Sequence, residues 1–247
     1  MTFIERYKNG ETAEVYSDID TLGQEAFSEK YIDDIKAVMT ETMERSAYNL
    51  TVIYDALQHS NYNFKQMIRY SFENPLSKPL GNVDDLLSQL EKVVTPFGSI
   101  PLSLKLFYKT VGSCNFAWDY STNDNILWEC ADPIQITPLD TLVEQVTGKY
   151  WLDEMKEIKE TFGTAYLELS ADYLHKDNIS GGEAYAIEIS PELRLDDTLL
   201  NEAHQTSFIN YLRLAFDNCG FGRTEEIKNR NDFKEFCDKV RPQLRKI

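Results

Sequence analysis

The sequence predicts an α+β fold, in which helices pack around a central, mainly antiparallel sheet. The first and last parts of the 247-residue chain carry apolar side chains at helical spacing. Near Gly112 the pattern changes to short aromatic or β-branched segments, which are separated by turn-forming residues. Because helices stand at both ends and adjacent strands lie between them, we expect an α+β arrangement and not a strand–helix–strand alternation.

Three helical segments are predicted in the first half of the chain. Apolar residues recur at helical spacing from residue 31 to residue 57, with charged residues between them. Residues 59–82 bring together Asn, Ser, Pro and Gly, which end that helix and form a connecting segment. Amphipathic helices follow at residues 83–94 and, after Pro101, at residues 102–111.

Strands and further helices are predicted in the second half. The strands lie in residues 115–120, 125–136, 164–173 and 183–190. Helical spacing returns between the second and third strands and in two closing segments, residues 204–222 and 232–240. The expected organisation is a helical extension with its connecting segment, residues 1–82, and an α+β domain, residues 83–247, which together form one compact unit.

The charge balance restricts the partners that the protein can bind. It has 25 basic and 41 acidic residues, a net charge of −16. Such a chain repels phosphate backbones and anionic lipid, so direct binding to nucleic acid or to a membrane is not expected. Two interpretations of the charge stay open: it keeps the protein soluble, or it attracts a basic protein partner by electrostatic steering.

Cysteine usage and the first residues indicate a cytoplasmic protein. The four cysteines lack CxxC spacing and stand in apolar or aromatic surroundings, which predicts reduced structural thiols. The N-terminal residues lack the basic start and apolar run of a signal peptide, and no stretch reaches membrane-spanning length. We therefore expect a cytoplasmic location.

The sequence contains no recognisable catalytic apparatus. Its histidines lie far from one another and lack a second ligand at helical metal-site spacing. Gly181-Gly182 lacks the lysine of a phosphate loop and is interpreted as a hairpin turn, and Ser113 has no histidine nearby. We therefore expect a protein that is not an enzyme and uses no metal or cofactor. A hydrolase or transferase with an acidic site, built from residues distant in sequence, stays open as an alternative.

Glutamates recur every third residue in the helix after the second strand. Glu154, Glu157 and Glu160 stand opposite the apolar side chains of that helix. We interpret them as its solvated face, because general acid–base chemistry would require one of them to be buried.

Acidic and aromatic residues alternate around the first predicted strands. Aromatic side chains supply buried area at a protein interface, and carboxylates beside them select a basic partner. The candidate protein-binding residues are Trp118, Asp119, Tyr120, Asp124, Trp128, Glu129 and Asp132. The second interpretation of the same pattern places the tryptophans in the core and the acids in water.

Two segments resemble the SUKH superfamily, which includes fungal regulators of cell-wall synthesis and bacterial immunity proteins against secreted toxins. They are "IPLSLKLFYKTVGSCNF" and the "DPIQITPL" that follows it. In that family a proline-led helix runs into a glycine-containing turn and then the first strand. The residues that match here are Pro101, Phe107, Tyr108, Gly112 and Phe116.

A later segment, "TSFINYLRLAFDNCGFG", resembles the helix and glycine-ended turn near the end of longer bacterial members. The resemblance covers residues 83–222, so the α+β domain is expected to be SUKH-like. Two features depart from the family pattern. Ser113 stands where many members have a second glycine or an acidic residue, and the N-terminal helical stretch is longer than the minimal domain requires.

The resemblance implies an immunity-type protein that neutralises a bacterial toxin by direct binding. Residues 223–247 carry 8 basic and 5 acidic residues, a net charge of +3. Because the whole chain carries −16, residues 1–222 carry −19. This acidic body suits a basic target such as a nuclease-type toxin, whose own substrate groove is positive. A scaffold or regulator like the fungal members remains the alternative within the resemblance.

Overall fold

The structure is a computed structural model that describes residues 1–65, 74–119 and 127–247, apart from the side chain of Lys149. The helices within these ranges are α1 Phe3–Lys8, α2 Thr12–Thr21, α3 Ile32–His59, α4 Val83–Val94, α5 Leu102–Thr110, α6 Leu139–Thr147, α7 Lys149–Phe162, α8 Tyr173–Lys176, α9 Phe208–Asp217 and α10 Asn231–Val240. The strands are β1 Leu76–Ser77, β2 Ser113–Asn115, β3 Gln135–Ile136, β4 Ala165–Ser170, β5 Tyr185–Ile189 and β6 Leu199–Leu200.

The helix α3 organises the N-terminal part of the molecule. Its apolar residues recur at helical spacing, and one face, which runs from Ile35 to Leu57, is buried. α1 and a 3₁₀ turn pack on one side of it, while α5, α10 and β1 pack elsewhere along its length. The start of α1 is fixed to it, because the amide groups of Phe3 and Ile4 donate to the Asp34 carboxylate. No helix in the described ranges combines the length and the apolar composition that crossing a bilayer requires.

The strands form two small antiparallel sheets. One has the order β1-β2-β3 and the other the order β4-β5-β6. They meet at one point, where the Thr137 amide and hydroxyl both donate to the Leu169 carbonyl at 2.7 and 2.8 Å. The α+β class and the antiparallel pairing are confirmed, with two sheets of three strands in place of a single central one.

The sequence predicted two strands that are longer than those observed. Among the described residues of the predicted strands, 115–119 and 127–136, only Asn115 and Gln135–Ile136 lie in strands. One reason is local backbone geometry, since Cys130 and Asp132 have φ values of 64° and 52°. A residue with left-handed backbone angles interrupts the alternation of side chains along an extended strand. Residues 66–73 of the predicted connecting segment lie outside the described residues, and β1 lies within the rest of it.

Candidate protein-binding surface

The outer face of the second sheet carries a tyrosine among carboxylates. Along β4 the side chains alternate, so that Leu167 and Leu169 are buried and Tyr166 and Glu168 point outward. Tyr166 stands opposite Glu188 of β5 in the antiparallel register. Directly opposed residues share one face of a sheet, so all three outward side chains belong to the same surface.

Two further glutamates approach this surface from its edges. Glu154 of α7 and Glu183, just before β5, both act electrostatically on the Tyr166 ring. We call the surface formed by Glu154, Tyr166, Glu168, Glu183 and Glu188 the acidic sheet face. It joins a helix, two strands and a turn, so its charges come together only in the folded chain.

The charge of Glu154 contributes to a raised proton affinity at two groups of the acidic sheet face, Glu168 and Tyr166. Packing raises the pKa of the Glu168 carboxyl, and the negative charge of Glu154 raises it further. Burial also raises the pKa of the Tyr166 phenol, with added contributions from Glu168, Glu154 and Glu183. Both shifts mean that ionising Glu168 or Tyr166 on this surface costs more free energy than ionising the same group in water.

No cation of the described residues neutralises this charge. The ion pairs in those ranges do not include Glu154, Glu168 or Glu183; the lysine side chains described on α7 are directed elsewhere. Lys156 pairs with Asp153, and Lys159 donates to the Phe97 carbonyl at 2.9 Å. Glu188 accepts one hydrogen bond, from the Thr164 hydroxyl at 3.0 Å. The surface can therefore accept cationic groups from another molecule.

The two predicted aromatic anchors lie in the core. Trp118 and Trp128 are each only 4% exposed. The Trp118 ring lies 4.9 Å from Tyr62, and the Trp128 ring lies 4.8 Å from Phe236. Neither indole is accessible to a partner in this fold, so both are removed from the predicted contact surface. The alternative interpretation, with strand tryptophans in the core, describes them correctly.

Asp132, predicted as a steering charge, is fully buried. One carboxylate oxygen accepts from the Lys176 ammonium at 2.7 Å, and the other accepts from the Tyr185 hydroxyl at 3.0 Å. The Lys176 ammonium is also fully enclosed and lies 4.7 Å from the centre of the Tyr185 ring. Asp132 is therefore half of an internal ion pair and exerts no direct pull on a partner.

The other candidate residues are distributed differently. Asp119 is half-buried, and its amide donates to the Asn63 carbonyl at 2.9 Å. Glu129 is exposed. Tyr120 and Asp124 lie outside the described residues. A contribution of Asp119 and Glu129 to binding stays a prediction.

A cleft elsewhere on the surface contains a histidine beside a carboxylate. His175 Nδ1 pairs with Asp172, and the two residues line a cleft of about 580 Å³ together with Gln135. The same carboxylate accepts from the amide groups of Leu174 and His175, at 2.8 and 3.2 Å. Asp172 therefore caps the first turn of α8, and this role accounts for its position.

The described residues do not bring a nucleophile together with a general base. Ser113 and Cys114 are buried, and the histidines there pair with other residues. Burial raises the pKa of the Cys114 thiol to about 12, which keeps it protonated and weakly nucleophilic. The same ranges contain no group of His, Cys, Asp and Glu that could hold a metal ion.

Sequence reasoning missed the acidic sheet face, although a signal for it was present. The segment 164–173 was predicted to be a strand, and its period of two already places Tyr166 and Glu168 on one side. Glu154 was interpreted as part of a solvated helix face. Its proximity to Tyr166 depends on how α7 packs against β4, which the spacing of residues does not reveal.

No protein-family model, no curated protein and no solved structure matches the chain.

Proposed function

We propose that this chain is a cytoplasmic, non-enzymatic protein-binding domain of the immunity type, which neutralises a basic bacterial toxin by direct binding. The acidic sheet face is the surface on which the cations of the toxin are placed. One observation carries the proposal: the charges of Glu154, Glu168 and Glu183 all act on Tyr166, and none of the three glutamates has an ion-pair partner among the described residues. Binding of this kind needs no metal and no cofactor.

The physical argument starts from the cost of holding these charges together. Burial, and after it the charge of Glu154, raises the pKa of the Glu168 carboxyl, so the ionised form of Glu168 is less stable than an isolated carboxylate. A lysine or arginine from a partner offsets the part of that cost that comes from the neighbouring charge of Glu154, which favours binding of a basic partner. The Tyr166 ring adds a flat, half-buried surface against which a guanidinium can stack.

Long-range charge supports the same partner class. Residues 1–222 have a net charge of −19, and the whole chain has a net charge of −16. This negative charge accelerates the encounter with a basic protein. A nuclease-type toxin fits, since its nucleic-acid groove is positive. The resemblance of residues 83–222 to the SUKH superfamily favours an immunity role. A regulatory role like that of the fungal members would instead imply several partners.

The test is affinity capture with the full chain from cells that carry its native gene neighbourhood. The variant Glu154→Gln/Glu168→Gln removes two charges from the acidic sheet face. The control Glu29→Gln/Glu44→Gln removes two exposed charges near the start of α3 and on α3. We expect wild type and control to recover one basic protein, and the first variant to lose it.

Kinetics with the recovered protein complete the test. The variant on the acidic sheet face should associate about tenfold more slowly than the control, and salt at about 0.3 M should remove most of the difference. Equal rates for the two variants would contradict the assignment of this surface. Recovery of several unrelated host proteins, in place of one, would contradict the immunity role.

A further inference from the structure

Two of the four free cysteines meet where the end of α9 lies against α10. Cys219 follows α9, and Cys237 lies in the last turn of α10. The Cys219 sulfur lies 3.9 Å from the Cys237 carbonyl oxygen, and the two thiol groups also hydrogen-bond to each other. The residues stand 18 positions apart, so a search for CxxC spacing does not find this pair.

The fold fixes both cysteines in this position. The Cys219 amide donates to the Phe216 carbonyl at 2.9 Å, which holds the residue at the end of α9. Arg241, one helical turn after Cys237, donates from its guanidinium to the Asp217 carbonyl at 3.3 and 3.2 Å. The last turn of α10 is therefore tied to the backbone two residues before Cys219, and the thiols meet without a rearrangement of the chain.

The surroundings activate one thiol of the pair. The hydrogen bond from Cys219 lowers the pKa of the Cys237 thiol against the opposing effect of burial, and the positive charge of Arg241 lowers it further. The same hydrogen bond, together with burial, raises the pKa of the Cys219 thiol, which stays protonated. Burial also raises the pKa of Cys114 to about 12 and that of Cys130 to about 11. Of the four cysteines, Cys237 is thus the one that favours the thiolate, the form that attacks oxidants.

We propose that Cys219 and Cys237 are an oxidation site, which hydrogen peroxide converts reversibly into a disulfide. In the first step the Cys237 thiolate attacks one peroxide oxygen, the O–O bond breaks, and hydroxide leaves, so that Cys237 becomes a sulfenic acid. In the second step the Cys219 sulfur attacks the Cys237 sulfur, the S–O bond breaks, and the released hydroxide takes the Cys219 proton. Two thiols and one peroxide therefore give one disulfide and two waters.

Burial selects the class of oxidant. Cys219 is 0% exposed and Cys237 is 3% exposed, so a bulky disulfide such as oxidised glutathione does not reach either sulfur in the folded chain. Hydrogen peroxide is close to water in size and reaches Cys237 through a small opening. A thiol reductant reverses the reaction when the site opens. The pair lies apart from the acidic sheet face and does not depend on the proposed function.

The test is treatment of the reduced, folded full chain with hydrogen peroxide, followed by alkylation of the remaining thiols and mass spectrometry. Trypsin places the two cysteines in separate peptides, residues 214–223 and 235–239. We expect these peptides to be joined, with the loss of two hydrogen atoms, and to separate again after treatment with dithiothreitol. Free thiols at both positions, a sulfinic acid at residue 237 without the crosslink, or a crosslink that forms only in denaturant would overturn the proposal.

Substitutions test the role of each sulfur. Cys219→Ser keeps a hydrogen-bond donor but removes the second thiol, so a sulfenic acid at residue 237 should persist and react with dimedone. Cys219→Ala also removes the donor and should form the sulfenic acid about threefold more slowly. Cys237→Ser should leave residue 219 unlabelled, because its thiol is protonated and enclosed.

Cys130→Ser is the control for accessibility. Cys130 is half-buried and more exposed than either member of the pair. Its removal should leave the crosslink unchanged. If exposure alone decided the reaction, dimedone would label residue 130 of the wild type before residue 237 of Cys219→Ser. That order, or labelling of residue 219 in Cys237→Ser, would contradict the activation of Cys237 and overturn the proposal.

Discussion

Glu168 connects the stability of the free protein to its proposed binding role. Packing and the charge of Glu154 raise the pKa of its carboxyl in the folded state. Because folding raises this pKa, the ionised carboxylate lowers the free energy of unfolding at neutral pH. That loss diminishes as the pH falls from the folded-state pKa towards the lower unfolded-state pKa, and it is gone below the latter, where the carboxyl is protonated in both states.

Glu168→Gln should therefore raise the free energy of unfolding at neutral pH and have little effect in acid. Urea unfolding at a series of pH values measures the difference between variant and wild type. Glu44→Gln, an exposed glutamate on α3, is the control. A difference that stays constant with pH, or a less stable variant at neutral pH, would contradict the electrostatic explanation.

The pair formed by Asp132 and Lys176 makes a second prediction at the scale of single residues. Both side chains are fully enclosed, and the Asp132 carboxylate also accepts from Tyr185. Lys176→Met leaves a buried carboxylate without its cation, which costs about 3–5 kcal/mol of unfolding free energy. The double variant Lys176→Met/Asp132→Leu should recover much of that loss, because it removes the unpaired charge as well.

Chemical denaturation of both variants checks this expectation. A loss below about 1 kcal/mol in Lys176→Met would show that water or another group compensates the carboxylate. Such a result would also return Asp132 to consideration as a charge that a partner can sense.

At the scale of elements, the sequence pattern predicted most of the helices and the two strands that carry the candidate surface. α3, α4, α9 and α10 were predicted because their apolar faces repeat over several turns. β4 and β5 were predicted because short segments with aromatic or β-branched residues stand between turn-forming residues. α1 and α2 were missed; α1 packs against α3 and α2 packs against α1, and these tertiary contacts are not visible in the sequence.

The candidate surface was less predictable, for a physical reason. The alternation of aromatic and acidic residues around Trp118 fits both an exposed and a buried strand, and only tertiary packing decides between them. Asp132 and Lys176 lie 44 residues apart, so spacing gives no sign of their pairing. The acidic character of the molecule was evident from composition, but the position of its uncompensated carboxylates was not.

The aromatic cluster around Trp128 joins a loop to α10. Its ring lies within 5.1 Å of Phe233, 4.8 Å of Phe236 and 5.4 Å of Phe221. Trp128→Ala should cost about 3–5 kcal/mol of unfolding free energy, because it leaves a cavity between these elements. Tyr150→Ala is the control, since Tyr150 is 85% exposed and its removal should cost less than about 0.5 kcal/mol.

Thermal unfolding of the two variants separates the core role of Trp128 from the interface role first predicted for it. An interface residue would leave the unfolding temperature unchanged and affect only partner binding. A fully stable Trp128→Ala protein would therefore contradict the packing described here.

At the scale of the whole molecule, charge is divided between two regions of opposite sign. The acidic sheet face lies on the second sheet, whereas residues 223–247 carry a net charge of +3. A partner approaching in the field of the molecule is oriented as well as attracted, because the two regions act on it with opposite sign.

The length of α3 has a consequence for the motions that the molecule permits. Its 28 residues span about 42 Å, at roughly 1.5 Å of rise per residue, and it contacts α1, α5, α10 and β1. Solvent reaches the backbone of its buried middle, around Met43 and Leu50, only when several of these elements separate together. In deuterated water, the amide protons there should be among the last to exchange, at a rate set by complete unfolding. The extension formed by residues 1–82 then opens with the remainder of the chain and not as a separate unit.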